Sequence, residues 1–146
     1  MKALLDSNVI IDVMERREVL FDDSYAVVRL AAEGGLEALV PASSISDIYY
    51  IIRRAGQDAV TARDAIAALA QLVAICDTSA SDVATALTYD MDDLEDAIVA
   101  AAAKREKADF IITRDERDFV GSPVPSISPA DFLAEHGSGF PGAAAP

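Results

Sequence analysis

Apolar runs too short to be helices alternate along this chain with longer segments of helical period. The runs are Lys2–Asp6, Leu36–Ala42, Val73–Cys76 and Asp109–Thr113. They are continuous, without the in–out alternation of a strand that is wet on one side, which predicts strands covered on both faces. Between them, Asn8–Arg17 carries Val9, Ile10, Val13 and Met14 at helical spacing. Asp22-Asp23-Ser24 starts a segment over Tyr25–Glu33 that stops at Gly34-Gly35. Ser43, Ser44 and Ser46 open a helix to Ala55, with Ile45, Ile48, Tyr49 and Ile52 on one stripe and Gly56 after it. Ala59–Leu72 and Ser81–Thr88 are further helices, the second with Val83, Ala84 and Leu87 expected inward. Asp92–Lys107 has acids first and bases last, as the helix dipole prefers. Ser122–Ile127 contains Pro123 and Pro125 and so predicts only an edge strand, before a last helix over Ala130–Glu135. The expected class is α/β: a mainly parallel central sheet with helices on both faces, three layers in all. Ligands of such sheets bind beyond the carboxyl ends of the strands.

With 146 residues, one domain is expected over 1–136, followed by a Gly/Ala/Pro-rich tail at 137–146 that reads as flexible. A single cysteine, Cys76, excludes an intrachain disulfide framework and a multi-cysteine zinc site. A single histidine, His136, argues against Ser-His-Asp chemistry and two-histidine metal sites. The apolar runs fall far short of the roughly 20 residues that span a bilayer, so no membrane partner is expected. The opening MKALLDSN places Asp6 where a signal peptide would be apolar, and the expected compartment is cytoplasmic.

The net charge is −13, which repels bulk nucleic acid and anionic membranes. The acids are 17 Asp against 8 Glu, although Asp is the poorer helix former. A GC-rich coding composition accounts for most of that excess; position singles out the rest. Asp6 ends the first run, Asp115 follows the run at Phe110–Thr113, Asp96 lies in the first turns of the helix before that run, and Asp47 lies in the first turn of the helix after the second run. Each alone has an ordinary use as a helix cap or first-turn acid. Together they fall at the same edge of the sheet. Converging carboxylates with no His or Cys nearby fit a hard divalent cation, Mg²⁺ or Mn²⁺, better than zinc.

These residues also carry a resemblance. The stretches LLDSNVIID, SISDIYYIIRR, DLEDAIVAAAAKREKADFIITRDERDF and Pro129-Ala-Asp-Phe-Leu133 resemble the PIN domain family across about residues 2–133. The resemblance implies an α/β/α sandwich and a metal-dependent ribonuclease, in many prokaryotic cases a VapC-type toxin held by a cognate antitoxin. Asp6, Asp96 and Asp115 match the family's metal-binding acids. Asp47 stands where the family most often has Glu, one methylene shorter. Asp93 and Asp118 are alternative ligands, and Asn8 and Thr113 match residues that orient Asp6 and Asp115. The implied reaction is metal-assisted hydrolysis of RNA phosphodiesters. Arg54 lies seven helical residues beyond Asp47, on the same face about 10 Å along; with Arg114 and Arg117 it is a candidate for RNA phosphates. The resemblance further implies a homodimer and an antitoxin partner, and the negative charge favours a basic antitoxin segment. Tyr50 and Ile51, off the core stripe of their helix, are the expected contact surface.

Other readings weigh less. A haloacid-dehalogenase-like phosphatase needs a second Asp two residues after the first, where this chain has Asn8. A receiver domain needs a Lys after the Phe110–Thr113 strand, where none follows. A degenerate interaction module would be expected to have lost one of the four acids. A PIN-family RNA-processing nuclease that is not a toxin is the main alternative.

Overall fold

The computed structural model describes residues 1–137. The central sheet comprises β1 (Lys2–Leu5), β2 (Glu37–Pro41), β3 (Ala74–Cys76), β4 (Phe110–Ile112) and β5 (Ser126–Ile127) in the order β3-β2-β1-β4-β5. All four strand pairings are parallel, so the sheet is wholly rather than mainly parallel. The helices are α1 (Ser7–Met14), α2 (Phe21–Ala32), α3 (Ala42–Arg54), α4 (Ala59–Leu72), α5 (Ala80–Ala86), α6 (Leu94–Arg105) and α7 (Pro129–His136), with a 3₁₀ turn over Glu116–Phe119.

The pleat sorts the strand residues into two cores. Ala3 and Leu5 of β1, Val40 of β2 and Ile112 of β4 pack with Val9 and Ile10 of α1, Val27 of α2, Ile48 and Ile52 of α3, Leu69 of α4 and Phe132 of α7. Leu4, Leu39 and Ile111 face the other way, onto Val99, Ala100 and Ala103 of α6 and Phe119. Helices therefore cover both faces, giving the α/β/α sandwich. The chain runs from β1 outward to β2 and β3, then returns to the other side of β1 with β4 and β5. The point where the direction of winding reverses lies between β1 and β4, which is where open parallel sheets leave a crevice at the strands' carboxyl ends.

Several local expectations are corrected. α5 does not turn Val83, Ala84 and Leu87 inward: Val83 and Leu87 are 38% and 69% exposed, while Asp82 and Ala86 are buried. Two causes act together. Ala86 lets α5 approach Ala97 and Ala101 of α6 closely, and Asp82 is satisfied there by Ser79 and a forked pair of contacts from Arg105. α2 begins at Phe21, so Asp22 and Asp23 lie within its first turn, not ahead of it. Asp47 falls in the second turn of α3, because that helix begins at Ala42 directly after β2. Ile51 is partly buried against the first core, and of the expected contact pair only Tyr50, 60% exposed, is on the surface. The tail expected at 137–146 lies outside the described residues beyond Gly137.

Candidate functional site: a carboxylate centre at the sheet edge

Asp6 follows the last residue of β1 and caps α1, accepting from the Ser7 N–H at 2.7 Å. The cap that local sequence suggests is therefore real, yet it occupies only one oxygen. The other, Oδ2, accepts from the Thr113 hydroxyl at 2.8 Å. Thr113 follows β4, the strand beside β1, and is fully buried. Having given its proton to Asp6, its Oγ1 accepts from Asn8 Nδ2 at 3.1 Å and from the Asp115 N–H at 3.1 Å. Asn8 also donates to Asp115 Oδ2 at 3.2 Å and accepts from the Arg114 N–H at 3.3 Å. The expected orienting residues thus tie the ends of β1 and β4 together, and through them Asp6 to Asp115.

Asp96 enters from α6. Asp93 caps that helix by accepting from the N–H groups of Glu95 at 2.7 Å and Asp96 at 3.2 Å. One of its carboxylate oxygens is thereby committed to the helix end. Burial raises the Asp96 carboxyl to about 7, with the charges of Asp6, Asp93, Asp118 and Glu95 adding to the effect. Asp6 is raised as well, first by burial, with hydrogen bonds from Thr113 and Ser7 opposing and the Asp115 charge reinforcing. Asp47 is exposed, and its charge falls on Glu95, whose carboxyl is raised by partial desolvation and then by Asp47, Asp93 and Asp6. Asp115 therefore acts on Asp6, and Asp6, Asp93 and Asp118 act on Asp96, whereas Asp47 reaches the group only through Glu95.

Glu95 is the acid that sequence reasoning missed. Its signal was its place beside Asp96 in the first turn of α6. A second omission is Asp12, fully buried at the end of the LLDSNVIID stretch. It accepts from Ser24 at 3.2 Å and lies 3.0 Å from the Nε of Arg114. Arg114, expected to meet a phosphate, thus commits that side of its guanidinium to a buried carboxylate. Arg117 is exposed in the 3₁₀ turn, and Arg54 is exposed with its guanidinium 5.8 Å from the centre of the Tyr50 ring.

All-oxygen donors of this kind suit Mg²⁺ or Mn²⁺. Burial first, and then the charges of its acidic neighbours, lift the Asp96 carboxyl to about 7, and a divalent cation would offset both. As the side chains stand, no group of three or more His, Cys, Asp or Glu among the described residues is gathered closely enough to hold a metal ion at once. The donor chemistry fits, and full coordination requires side-chain adjustment or bridging water.

A wholly parallel α/β/α sandwich with a carboxylate centre at its switch point is the class of protein that fold and site define. Residues 2–117 match the PIN domain family, and the chain belongs to it. No curated protein matches the sequence. Among solved structures, the VapBC2 complex of Rickettsia felis bound to a promoter DNA fragment is similar at TM-score 0.70 and 14% identity, over 88% of this chain and 98% of that chain. A toxin–antitoxin complex from Klebsiella pneumoniae is similar at TM-score 0.66 and 20% identity, over 87% and 97%. The sarcin–ricin-loop-cleaving toxin VapC20 of Mycobacterium tuberculosis is similar at TM-score 0.60 and 14% identity, over 75% and 86%.

Proposed function

We propose that this protein is a Mg²⁺- or Mn²⁺-dependent endoribonuclease acting as the toxin of a toxin–antitoxin pair. The observation that carries the reading is the convergence on Asp6 at the end of β1: Thr113 and Asn8 tie it to Asp115, and its charge acts on Asp96. Asp6, Asp96 and Asp115 would hold the ion, with Asp47, Glu95 and Asp118 as further acids in reach of the same group. A bound ion would lower the pKa of a coordinated water and offset charge on the phosphodiester. Thr113 and Asn8 hold Asp6 and Asp115 in register and spare them reorganisation when substrate enters. Arg54 and Arg117, both exposed, would meet flanking phosphates.

Support for the toxin reading comes from the neighbours, which include toxins and toxin–antitoxin complexes, and from a groove suited to an antitoxin segment. That groove, about 220 Å³, is lined by Ile10, Val13 and Met14 of α1, Val28 of α2, and Leu69 and Leu72 of α4. An amphipathic helix with an apolar face and basic flanks fits it, given the −13 charge of the chain. Among the described residues no helix is long and apolar enough to cross a membrane.

The test is cleavage of RNA by the purified protein. Activity is expected with Mg²⁺ or Mn²⁺, and it should stop on chelation and in Asp6→Asn. Cleavage undiminished in excess EDTA overturns the metal reading. Co-expression with the product of an adjacent small reading frame is expected to give a complex in which cleavage is silenced.

A further inference from the structure

Beside the carboxylate centre, between the start of α2 and the start of α7, lies a cavity of about 350 Å³. It is at the small end of the roughly 300–1,000 Å³ range of ligand pockets, which suits a single nucleoside. Leu20 and Pro129 give it apolar walls; Asp23, Ser24 and Arg114 supply polar groups; Asp115 stands at the border with the metal centre. Fully buried Asp12 accepts from Ser24 and pairs with Nε of Arg114. That carboxylate fixes two of the lining side chains and offsets the arginine's charge. The terminal guanidinium nitrogens of Arg114 have no partner among the described residues. They remain directional donors without being a net positive site.

The charge balance decides the kind of ligand. Asp12 behind the wall is shared between Arg114 and Arg17, which leaves Asp23 and Asp115 on the lining against one already paired arginine; the cavity repels a phosphate and accepts a neutral group that brings donors for Asp23 and acceptors for Arg114. We infer that this cavity is a base-reading subsite for a guanine of the RNA substrate, with Asp23 accepting from its N1–H and N2–H₂ and Arg114 donating to O6 or N7. Guanine is the base that presents two adjacent donors to one carboxylate and acceptors on its neighbouring edge. Adenine and cytosine bring one amino group each, and uracil a single imino proton. Leu20 and Pro129 flank the ring as apolar cover. The position of Asp115 at the rim puts the base beside the bond to be cut. The inference deepens the ribonuclease reading and rests on it for the identity of the substrate.

The test is an NMR titration of the metal-free full chain with guanosine, inosine, adenosine, cytidine and uridine, for wild type and Asp23→Ala. Guanosine is expected to shift the amides of Asp23, Ser24 and Arg114 and to bind about tenfold more tightly than each of the others. Inosine, which lacks the N2 amino group, is the closest control. Asp23→Ala retains Asp22 in the first turn of α2, so its fold is expected to survive, as a thermal melt will report. It should abolish the preference. On RNA with Mn²⁺, wild type should cut beside guanine and the variant should cut with that bias reduced about tenfold. Equal binding of all five nucleosides, shifts away from this cavity, or a preference unchanged in Asp23→Ala would each overturn the proposal. Failure of the ribonuclease reading has a different signature: no RNA is cut in Mn²⁺, while the nucleoside titration still reports on the cavity by itself.

Discussion

The Thr113 hydroxyl donates to the Asp6 carboxylate at 2.8 Å, linking the ends of two neighbouring strands across 107 residues of chain. Because that hydroxyl has one proton and spends it on Asp6, it meets Asn8 and the Asp115 N–H as an acceptor. Thr113→Val keeps the shape and removes the donor. Asp6 then loses its contact inside the core, and the variant should be less stable by about 1–2 kcal/mol. Mn²⁺ should also raise its melting temperature less than it does for wild type. Thr113→Ser, which keeps the hydroxyl, should behave as wild type in both respects. Thermal melts with and without Mn²⁺ check this.

Asp96 predicts a conflict between stability and function. Its ordinary value is 3.8, and burial with its acidic neighbours lifts it to about 7 in the folded chain. The folded state therefore holds a proton that the unfolded state releases between about pH 4 and pH 7. In that window the metal-free fold must lose stability as pH rises. Asp96→Asn removes the penalty. It should stabilise the metal-free protein by roughly 1–3 kcal/mol at pH 8, less than the full shift implies because the carboxyl is partly solvated. It should have little effect at pH 4. The same variant should abolish stabilisation by Mn²⁺ and RNA cleavage. Urea unfolding in EDTA at the two pH values decides; a variant less stable than wild type at pH 8 contradicts the argument.

How far the sequence carried follows from which signals are local. Strand runs and helix stripes are local, and so is the principle that ligands gather beyond the strands' carboxyl ends; Asp6 and Asp115 were legible from these alone. The coupling of Asp96 to Asp6 needs the sheet order, which follows from pairing between distant segments. Asp12 was missed because a carboxylate between Ile10 and Val13, off the stripe they form, looks like a solvated helix acid. Only the fold brings Arg114 from the loop after β4 and Ser24 from another helix to bury it. α5 was turned the wrong way for a similar reason. Its apolar side chains suggested one face, and the forked contact from Arg105 to Asp82 holds it to the other.

The Asp12–Arg114 pair should respond unequally to its two possible breaks. Asp12 is fully buried and Arg114 is one-quarter exposed. Arg114→Met strands a carboxylate in the core, with Arg17 at 3.8 Å as its only remaining cation among the described residues. That is the costly kind of break, about 3–5 kcal/mol. Asp12→Asn leaves an arginine that can turn to water, and keeps an acceptor for Ser24, so its cost should be nearer 1–2 kcal/mol. Urea denaturation of the two variants gives the comparison. Equal costs would mean that Asp12 finds water or another partner when Arg114 is gone.

Tyr50 provides the test of self-association. It is 60% exposed on the outer side of α3, while Ile51 is tied into the core. A double change at both positions would confuse dissociation with unfolding, so Tyr50→Glu alone is the informative variant. Wild type is expected to sediment as a dimer at micromolar concentration and the variant as a folded monomer. A wild-type monomer under those conditions removes the dimer from the proposal.

Arg105 closes the far side of the molecule, and its effect should depend on pH. It reaches Asp82 through Nε at 2.9 Å and Nη2 at 3.1 Å, and also donates to the Asp77 carbonyl at 2.7 Å. Burial pushes the Asp82 carboxyl up, but the Arg105 fork and the donors of Ser79 outweigh it, and the carboxyl ends below its ordinary value of 3.8. The folded state thus favours the ionised form more than the unfolded state does. The pair's contribution is complete above pH 4 and disappears as pH falls through the folded value below 3.8. Arg105→Met leaves Asp82, 3% exposed, without its cation. At pH 7 the loss should be about 1–3 kcal/mol, reduced from the buried-pair range because Arg105 is one-third exposed. Arg105→Lys should recover only part of it, since an ammonium cannot fork onto both carboxylate oxygens. Unfolding of wild type and both variants between pH 7 and pH 3 should show the gap narrow only at the acid end. A gap that is constant over that range would mean that Arg105 acts by packing against α5, and not through the charge of Asp82.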